Sequence, residues 1–415
     1  VRNGPEAAEA GIIGHSHLDT AWLWKATETI KKSARTYSNA VSLMEQYPEF
    51  LFVQSSSCHS DMLRRHYPAL FEDIRKKVAE GRYEPNGAVW VECDCNITSG
   101  ESMVRQFLWG QRFTRKYFDF TSNCFWLPDT FGYSAAIPQI MKGCKVDYFL
   151  TTKIDWNDAN AFPYDTFYWK GIDGTTVFTH FNKIPAWPSP RDLHYAVTGD
   201  TKEVGRSLHE RSVTRKRICA FGHGDGGGGP TYGMLEFLKR AEGLDGMPVI
   251  ESSTISAFMK EVEQQRDDLP VYDGELYLEL HRGTLTQMHQ VKKNNRTAEI
   301  AMHNMELFNV LSGSPLNENR DALYKIMLKN QFHDIIPGTC IQRVYDIAIP
   351  EMFDMIAKTR GETANYMEAM TDKDDGVLSL YNPLSFDRSD VVTLDGAHGF
   401  KDHDTQVYTD WNGEE

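Results

Sequence analysis

Two histidines and an aspartate gather near the N-terminus, in the segment 11–24, which reads G-I-I-G-H-S-H-L-D-T-A-W-L-W. Its two isoleucines are apolar and β-branched and indicate the end of a buried strand. If the backbone stays extended, His15, His17 and Asp19 project to one side, because strand side chains repeat every two residues. Imidazole and carboxylate are ligands of zinc-like ions. The segment therefore predicts a metal site, with buried hydrogen-bonding histidines as the plainer alternative.

A further carboxylate, Asp129, lies in the aromatic stretch 125–133, F-W-L-P-D-T-F-G-Y. It directly follows a predicted strand, and Pro128 restricts the local backbone. A carboxylate in such a turn can act as a metal ligand, a nucleophile or a base. Asp129 could instead cap a helix that starts near Ser134.

A glycine-rich segment, 222–230, reads G-H-G-D-G-G-G-G-P and lies between a predicted strand and a predicted helix. Glycines allow the backbone to approach a ligand closely. Nucleotide binding is not favoured, because both the G-K-[ST] ending and the G-x-G-x-x-G spacing with a downstream acid are missing. Its single carboxylate, Asp225, is the candidate for chemistry, and a plain flexible loop is the alternative.

The last polar cluster is Q-F-H-D-I-I-P-G-T, residues 331–339, at the end of a predicted helix. His333 alone could simply interact with the helix dipole. Together with His17 and Asp19 it could complete a metal site, and Asp334 follows it directly.

Composition narrows the classes of function. The chain has 415 residues, which exceeds the usual limit for one hydrophobic core and predicts at least two domains. Its net charge of −14 argues against nucleic acid and against an anionic membrane surface. No run of 18 apolar residues suggests a membrane span. The 7 cysteines form no paired C-x-x-C pattern, so free thiols in a reducing compartment are expected.

The elements that must position these residues alternate between strand and helix through the first two thirds of the chain, with helices predicted over 61–77 and 100–118 and a strand over 83–91 between them. This alternation predicts an α/β fold with a mostly parallel sheet, interrupted by a hairpin at 173–174. From Lys292 to about Ala369 helices follow without strands. After 376, alternating apolar residues at 377–380 and 391–394 predict strands, too few to close a β domain. We therefore expect the chain to be part of a longer protein.

The four motifs occur together in one order and resemble the class II α-mannosidases of glycoside hydrolase family 38. The flanking W-V-E-C-D and T-S-G-E-S-M-V-R-Q-F-L-W-G-Q-R look like its cytosolic and bacterial branch. The resemblance implies a cytoplasmic, bacterial enzyme with a seven-stranded, mostly parallel, barrel-like catalytic α/β domain over 1–275. It further implies a three-helix bundle over 276–372 and the start of a truncated β domain over 373–415.

The resemblance also implies the chemistry. The enzyme would hydrolyse terminal α-linked mannose with retention, through a glycosyl-enzyme intermediate. Asp129 would be the nucleophile and Asp225 the general acid/base. One Zn²⁺ per chain is implied, with Co²⁺ left open, and the implied ligands are His17, Asp19, Asp129 and His333. His15 is the first histidine of the family motif, which is not expected to bind the metal.

Four further residues are expected to contact a mannose-containing oligosaccharide: Trp22, Phe131, Lys153 and Asp334. Trp22 and Phe131 would line the sugar face, and Asp334 would bond the substrate or steady His333. Lys153 stands where the family often has arginine, so its support of Asp129 would come from a point charge. The sequence leaves the linkage specificity and any homo-oligomer open.

Two alternatives compete with this interpretation. A metal-dependent amidohydrolase also carries H-x-H after a first strand, and it predicts two later single histidines on successive strands, a final aspartate and an amide substrate. It leaves the W-L-P-D-T-F-G-Y and tetraglycine motifs unexplained. A non-catalytic carbohydrate-binding protein would bind metal and sugar without cleaving a glycoside.

Overall fold

The computed structural model describes residues 7–157, 159–182, 184, 187–198, 214, 216–265, 268–315, 318–371 and 377–394. Within these residues strands and helices alternate first, and a helical region follows. The strands are Glu9–His15 (β1), Phe52–Val53 (β2), Tyr83–Glu84 (β3), Cys124–Leu127 (β4), Tyr148–Thr151 (β5), Thr166–Lys170 (β6), Thr176–Phe181 (β7), Lys216–Phe221 (β8), Val249–Ser252 (β9) and Val271–Asp273 (β10).

The helices are Ala26–Gln46 (α1), Ser57–His66 (α2), Pro68–Ala79 (α3), Gly100–Phe118 (α4), Ile137–Gly143 (α5), Pro190–Thr198 (α6), Tyr232–Ala241 (α7), Ile255–Gln264 (α8), His289–Leu311 (α9), Arg320–Asn330 (α10) and Gln342–Met370 (α11). Two 3-10 helices lie at Lys153–Trp156 and Glu279–Leu285. None of the helices in the described part of the chain is long and apolar enough to cross a membrane.

The strands form two five-stranded sheets. In the first sheet β1 pairs in parallel with β8, β2 and β9, and β3 lies beyond β2. The second sheet has the order β10-β6-β7-β5-β4, and only its β6–β7 pair is antiparallel. This pair is the hairpin predicted at 173–174. The prediction of a mostly parallel α/β fold is confirmed.

The predicted seven-stranded barrel is not found, because the described strands form two open sheets. Side chains take the place of backbone ladders where the sheets meet. Asn86, which follows β3, accepts hydrogen bonds of 3.2 Å from the backbone N–H groups of Asn123 and Cys124 at β4. On the other side, the backbone N–H of Ile218 in β8 points to Nε2 of His180 in β7, at 3.5 Å. A ladder needs consecutive backbone pairs, and these contacts provide single bonds.

One buried cluster fills the space between the sheets. It contains side chains from the first sheet, including Ile13, Val53 and Ile218, and from the second, including Trp126 and Leu150. A larger buried cluster joins the helices to the outer faces of the strands and continues into the helical region. The two open sheets therefore share an interior, and the ends of their parallel strands are held in fixed relative positions.

Two predicted elements differ from those observed. The helix expected over 61–77 is two helices, because Pro68 disfavours helical backbone at Tyr67, which has φ −138° and ψ 62°. The strand expected over 83–91 has only two residues. Beyond them Gly87 passes so close to Ser55 that an added Cβ would lie 1.7 Å from the Ser55 carbonyl oxygen. At this close approach the two segments do not form a regular β-ladder.

Three long helices, α9, α10 and α11, follow the sheets, as the sequence predicts. The strands expected at 377–380 and 391–394 are absent, since residues 377–394 contain no strand. Most of this segment is exposed, and none of the described strands pairs with it. Residues 373–376 and 395–415, the rest of the expected β domain, lie outside the described residues.

Candidate active site

Four side chains of the candidate metal site meet in one cluster. His17, Asp19, Asp129 and His333 each offer a ligand atom, and these atoms lie within 4.8 Å of one another. Nε2 of His17 lies 2.9 Å from Oδ1 of Asp19 and 3.9 Å from Oδ2 of Asp129. Nε2 of His333 lies 3.5 Å and 3.7 Å from the same oxygens. Ligand atoms about 2.1 Å from one tetrahedral zinc would be about 3.4 Å apart, so this set fits a zinc-like ion.

The buried environment of these atoms also fits a cation. Nε2 of His333 is buried and has no hydrogen-bond partner within the described residues. It points toward two carboxylates, and a buried polar atom without a partner is costly. The donor set of two imidazoles and two carboxylates is also of the kind that zinc takes in proteins.

The candidate ligands come from three parts of the fold. His17 and Asp19 follow β1, and Asp129 follows β4, so parallel strands deliver them to one end of the two sheets. His333 comes from the turn after α10, where Cys93 pairs with Phe332 in an isolated bridge. The alternative role of Asp129 as a helix cap is wrong, since α5 begins at Ile137 with Ala136 as its N-cap residue.

Glu92, which sequence reasoning did not assign, lies behind the two histidines. Its Oε2 is 2.9 Å from Nδ1 of His17, and its carbonyl oxygen is 3.0 Å from Nδ1 of His333. The hydroxyl of Ser55 donates to its other carboxylate oxygen. The available signal was an acid within the otherwise apolar run A-V-W-V-E-C. A buried acid in such a run needs a partner.

Burial and neighbouring charges have opposite effects on the pKa values of this cluster. Burial disfavours the charged form of His17, but Glu92 and Asp19 outweigh it and raise the His17 pKa well above its usual range. Burial works against ionisation of Glu92 as well, yet His17 lowers the Glu92 pKa to about 2. The same competition lowers the pKa of Asp19. Burial raises the pKa of Asp334 to about 6, against the attraction of His333.

Asp225 lies in a hairpin that is closed by backbone hydrogen bonds. Backbone bonds of 2.9 and 3.0 Å join His223 and Gly229 across it. The carbonyl oxygen of Asp225 accepts a 2.9 Å bond from the backbone N–H of Asp19, so the hairpin is attached to the metal-ligand segment. The Asp225 side chain is exposed. Partial desolvation raises its pKa, opposed by His17 and assisted by Asp19 and Asp129.

Three of the four expected substrate residues lie beside the candidate ligands, and the fourth does not. The Lys153 ammonium contacts Oδ1 of Asp129, and the Phe131 ring lies 5.6 Å from the ring of His333. Asp334 is buried, with Oδ2 3.9 Å from Nε2 of His333. Trp22 is half-buried and meets the edge of Trp24, with ring centroids 6.1 Å apart. Its described contacts do not reach the metal-ligand cluster.

His15 does not join the four candidate ligands. Its ring is buried 4.3 Å from that of Trp126, and burial lowers its pKa to about 3, so it is neutral. Both of its ring nitrogens are buried without a hydrogen-bond partner in the described part of the chain. The backbone after β1 is irregular, and this explains why the period of a strand does not carry His15 into the cluster with His17.

Two models of known protein families match most of the chain. The family model described as the glycosyl hydrolases family 38 N-terminal domain matches residues 8–275. The model described as the alpha mannosidase middle domain matches residues 279–370.

Relatives and solved structures agree with these matches. Alpha-mannosidase 2C1 of Homo sapiens is 40% identical over 405 residues, which are 93% of this chain and 38% of that protein. An alpha-mannosidase of Saccharomyces cerevisiae is 36% identical over 383 residues, 87% of this chain and 35% of that protein. The chain thus spans less than two fifths of the length of these relatives. The crystal structure of an alpha-mannosidase from Enterococcus faecalis V583 has a TM-score of 0.72 at 18% identity, and covers 88% of this chain and 42% of that one.

Proposed function

Because the chain belongs to glycosyl hydrolase family 38, we propose that it is the catalytic part of a zinc-dependent retaining α-mannosidase that removes terminal α-linked mannose from glycans. The observation that carries the proposal is the meeting of the His17, Asp19, Asp129 and His333 side chains beside a hairpin that presents Asp225. Metal ligands and two separate carboxylates are the parts that such a reaction needs.

The two carboxylates divide the reaction between them. In the first step a carboxylate oxygen of Asp129 bonds to the anomeric carbon while Asp225 gives its proton to the departing glycosidic oxygen. In the second step Asp225 takes a proton from water, and the water oxygen replaces Asp129 at the anomeric carbon. The raised pKa of Asp225 supports its role as the acid of the first step.

The other residues bind and orient. A zinc ion held by the four ligands would supply a Lewis acid able to take sugar hydroxyls, and the axial 2-OH of mannose would help to distinguish it from glucose. Lys153 contacts Asp129 as a point charge. Asp334 accepts a hydrogen bond from the Thr339 hydroxyl and would steady His333 or bond the sugar. Phe131 and Trp22 would offer apolar ring surface to the sugar.

The amidohydrolase alternative has less support. It requires single histidines on later strands, whereas the later members of this cluster are Asp129 and His333, and His333 follows a helix.

A cytoplasmic location is also part of the proposal. All seven cysteines lie in described residues and are free thiols, which suits a reducing compartment.

The test is hydrolysis of p-nitrophenyl α-mannoside, with p-nitrophenyl α-glucoside and an N-acyl amino acid as comparison substrates. We expect only the mannoside to be cleaved, activity to disappear with a chelator, and zinc or cobalt to restore it. NMR should show the α-anomer of mannose as the first product. Cleavage of the acyl amino acid alone would favour the amidohydrolase, and metal and mannose binding without cleavage would favour the binding protein.

A further inference from the structure

Glu92 contacts two of the four candidate metal ligands through two different groups. Its carboxylate oxygen lies 2.9 Å from Nδ1 of His17. Its carbonyl oxygen lies 3.0 Å from Nδ1 of His333, a residue 241 positions away in the sequence. The same carbonyl also accepts a 3.1 Å bond from the backbone N–H of His333. Glu92 therefore contacts the Nδ1 atom of both imidazole rings.

These contacts decide which ring nitrogen is available. Nδ1 of His333 donates a hydrogen bond to a carbonyl oxygen, which can only accept, so this nitrogen carries the proton. Nδ1 of His17 lies in an ion-pair contact of 2.9 Å with a carboxylate oxygen that is not aligned as a hydrogen bond, and a nitrogen so close to an ionised carboxylate also carries the proton. Nε2 is then the nitrogen left for a metal, and in both His17 and His333 it faces Asp19 and Asp129. A partner behind a ligand histidine commonly fixes the ring orientation and the tautomer in this way.

We propose that Glu92 is the positioning residue of this site, which holds His17 and His333 with Nε2 toward a divalent metal. The inference rests on the proposed function and deepens it by adding a residue that orients two candidate metal ligands. The sequence had given Glu92 no role. Glu92 is itself held in place: it is 2% exposed, and the Ser55 hydroxyl donates to its carboxylate. A backbone bond of 2.9 Å from Asp94 to Gln331 fixes the chain next to it.

The test compares the metal affinity of the Glu92→Ala and Glu92→Gln proteins with that of the unaltered protein. Affinity for Zn²⁺ and Co²⁺ is measured by competition with a chromophoric chelator, and the visible spectrum of the Co²⁺ form reports ligand geometry. Glu84→Gln is the matched control. Glu84 is also a buried carboxylate, but its oxygens accept from the backbone N–H groups of Ile255 and Ser256.

We expect Glu92→Ala to weaken metal binding about 10–100-fold and to change the Co²⁺ spectrum. Glu92→Gln should lose less, because its amide oxygen can still accept from His17. Glu84→Gln should change neither reading. Thermal unfolding in excess chelator shows whether a variant is folded without metal, so lost stability is separated from lost affinity.

Two results would overturn the proposal: metal affinity and Co²⁺ spectrum unchanged in Glu92→Ala, or an equal loss of affinity in Glu84→Gln. Failure of the proposed function looks different. In that case the unaltered protein would bind no metal, or it would bind metal and leave the α-mannoside intact, whatever residue stands at 92.

Discussion

At the scale of single residues, Asp129 and Asp225 have different surroundings. Oδ2 of Asp129 lies 3.7 and 3.9 Å from the two imidazoles, and Lys153 contacts its other oxygen. Asp225 is exposed and has no ion-pair partner among the described residues, and desolvation raises its pKa. A carboxyl that holds its proton more readily suits an acid, and a carboxylate beside positive groups suits a nucleophile.

This difference predicts how substitutions depend on the leaving group. Asp225→Asn should slow substrates with poor leaving groups about 10²–10⁴-fold, because they need a proton. It should affect dinitrophenyl mannoside much less and let a glycosyl-enzyme accumulate, while Asp129→Asn should abolish turnover of both substrates. Steady-state and burst kinetics measure the first effects. Peptide mapping after a 5-fluoro mannosyl reagent should find the label at Asp129, and a label at Asp225 would contradict this assignment.

The two histidines of the N-terminal motif provide a second prediction. His17→Ala should remove bound zinc together with activity, because it deletes one ligand of the cluster. His15→Ala should keep most of the metal, since His15 packs on Trp126 outside the cluster. Metal content by elemental analysis after dialysis distinguishes them. Equal losses of metal from both variants would show that the choice between the two histidines is wrong.

Part of the cluster could be predicted from residue types, and its gaps have physical causes. Spacing indicated a metal site near His17 and Asp19 that His333 could complete, and the set of four with Asp129, which meets in space, was implied by the family resemblance. The two-residue repeat of a strand could not exclude His15. That repeat assumes an extended backbone, and the backbone leaves the extended form after β1. Glu92 was missed because its partners lie far away in the sequence, so only folding places an acid behind both imidazoles.

At the scale of elements, the hairpin 223–229 is what places Asp225. Gly222 leads into it with φ +139°, and a Cβ at this position would lie 2.2 Å from the carbonyl oxygen of His15. Thr36 in α1 accepts a 2.9 Å bond from the backbone N–H of Gly228. The glycines therefore allow close packing between the hairpin, β1 and α1.

Replacing Gly222 by alanine should displace this hairpin. The clash with β1 and the backbone strain, about 1–3 kcal/mol for the strain alone, should lower stability and reduce kcat strongly because Asp225 moves. Urea unfolding and mannoside kinetics measure the two effects. Gly243→Ala is the control, because Gly243 also has positive φ, +74°, but nothing within 4 Å of an added Cβ. It should cost about 1–2 kcal/mol and leave kcat unchanged; an equal fall in kcat would contradict the role of close packing.

Helices were easier to predict than strands, for a local reason. The helix predicted over 100–118 is found with the same bounds, and the Ser99 hydroxyl accepts from the backbone N–H of Ser102 at its start. Such a cap is visible in the sequence. Strands β2 and β3 have two residues each, and their extent depends on which distant segment pairs with them. Sequence period cannot report that pairing.

At the scale of the whole molecule, the candidate metal ligands come from both parts of the chain that the family models match. Three candidate ligands lie within 8–275, and His333 lies within 279–370. The sheets that carry the first three are open, and side chains such as Asn86 join them where a closed barrel would have ladders. A metal bound by all four ligands would therefore add a cross-link that the sheets themselves do not provide.

The final prediction concerns this cross-link. A ligand that binds only the folded state stabilises it, by about 2.7 kcal/mol when free metal is about 100 times its dissociation constant. Zinc should therefore raise the unfolding midpoint above that in chelator, and it should slow backbone hydrogen exchange in 331–341. The His333→Ala protein should lose the metal-dependent shift, whereas His303→Ala, at an exposed position of α9, should keep it. If His333→Ala keeps the full shift, the helical region does not contribute a ligand, and packing and hydrogen bonds such as that from Asp94 to Gln331 hold the two parts of the chain together without the metal.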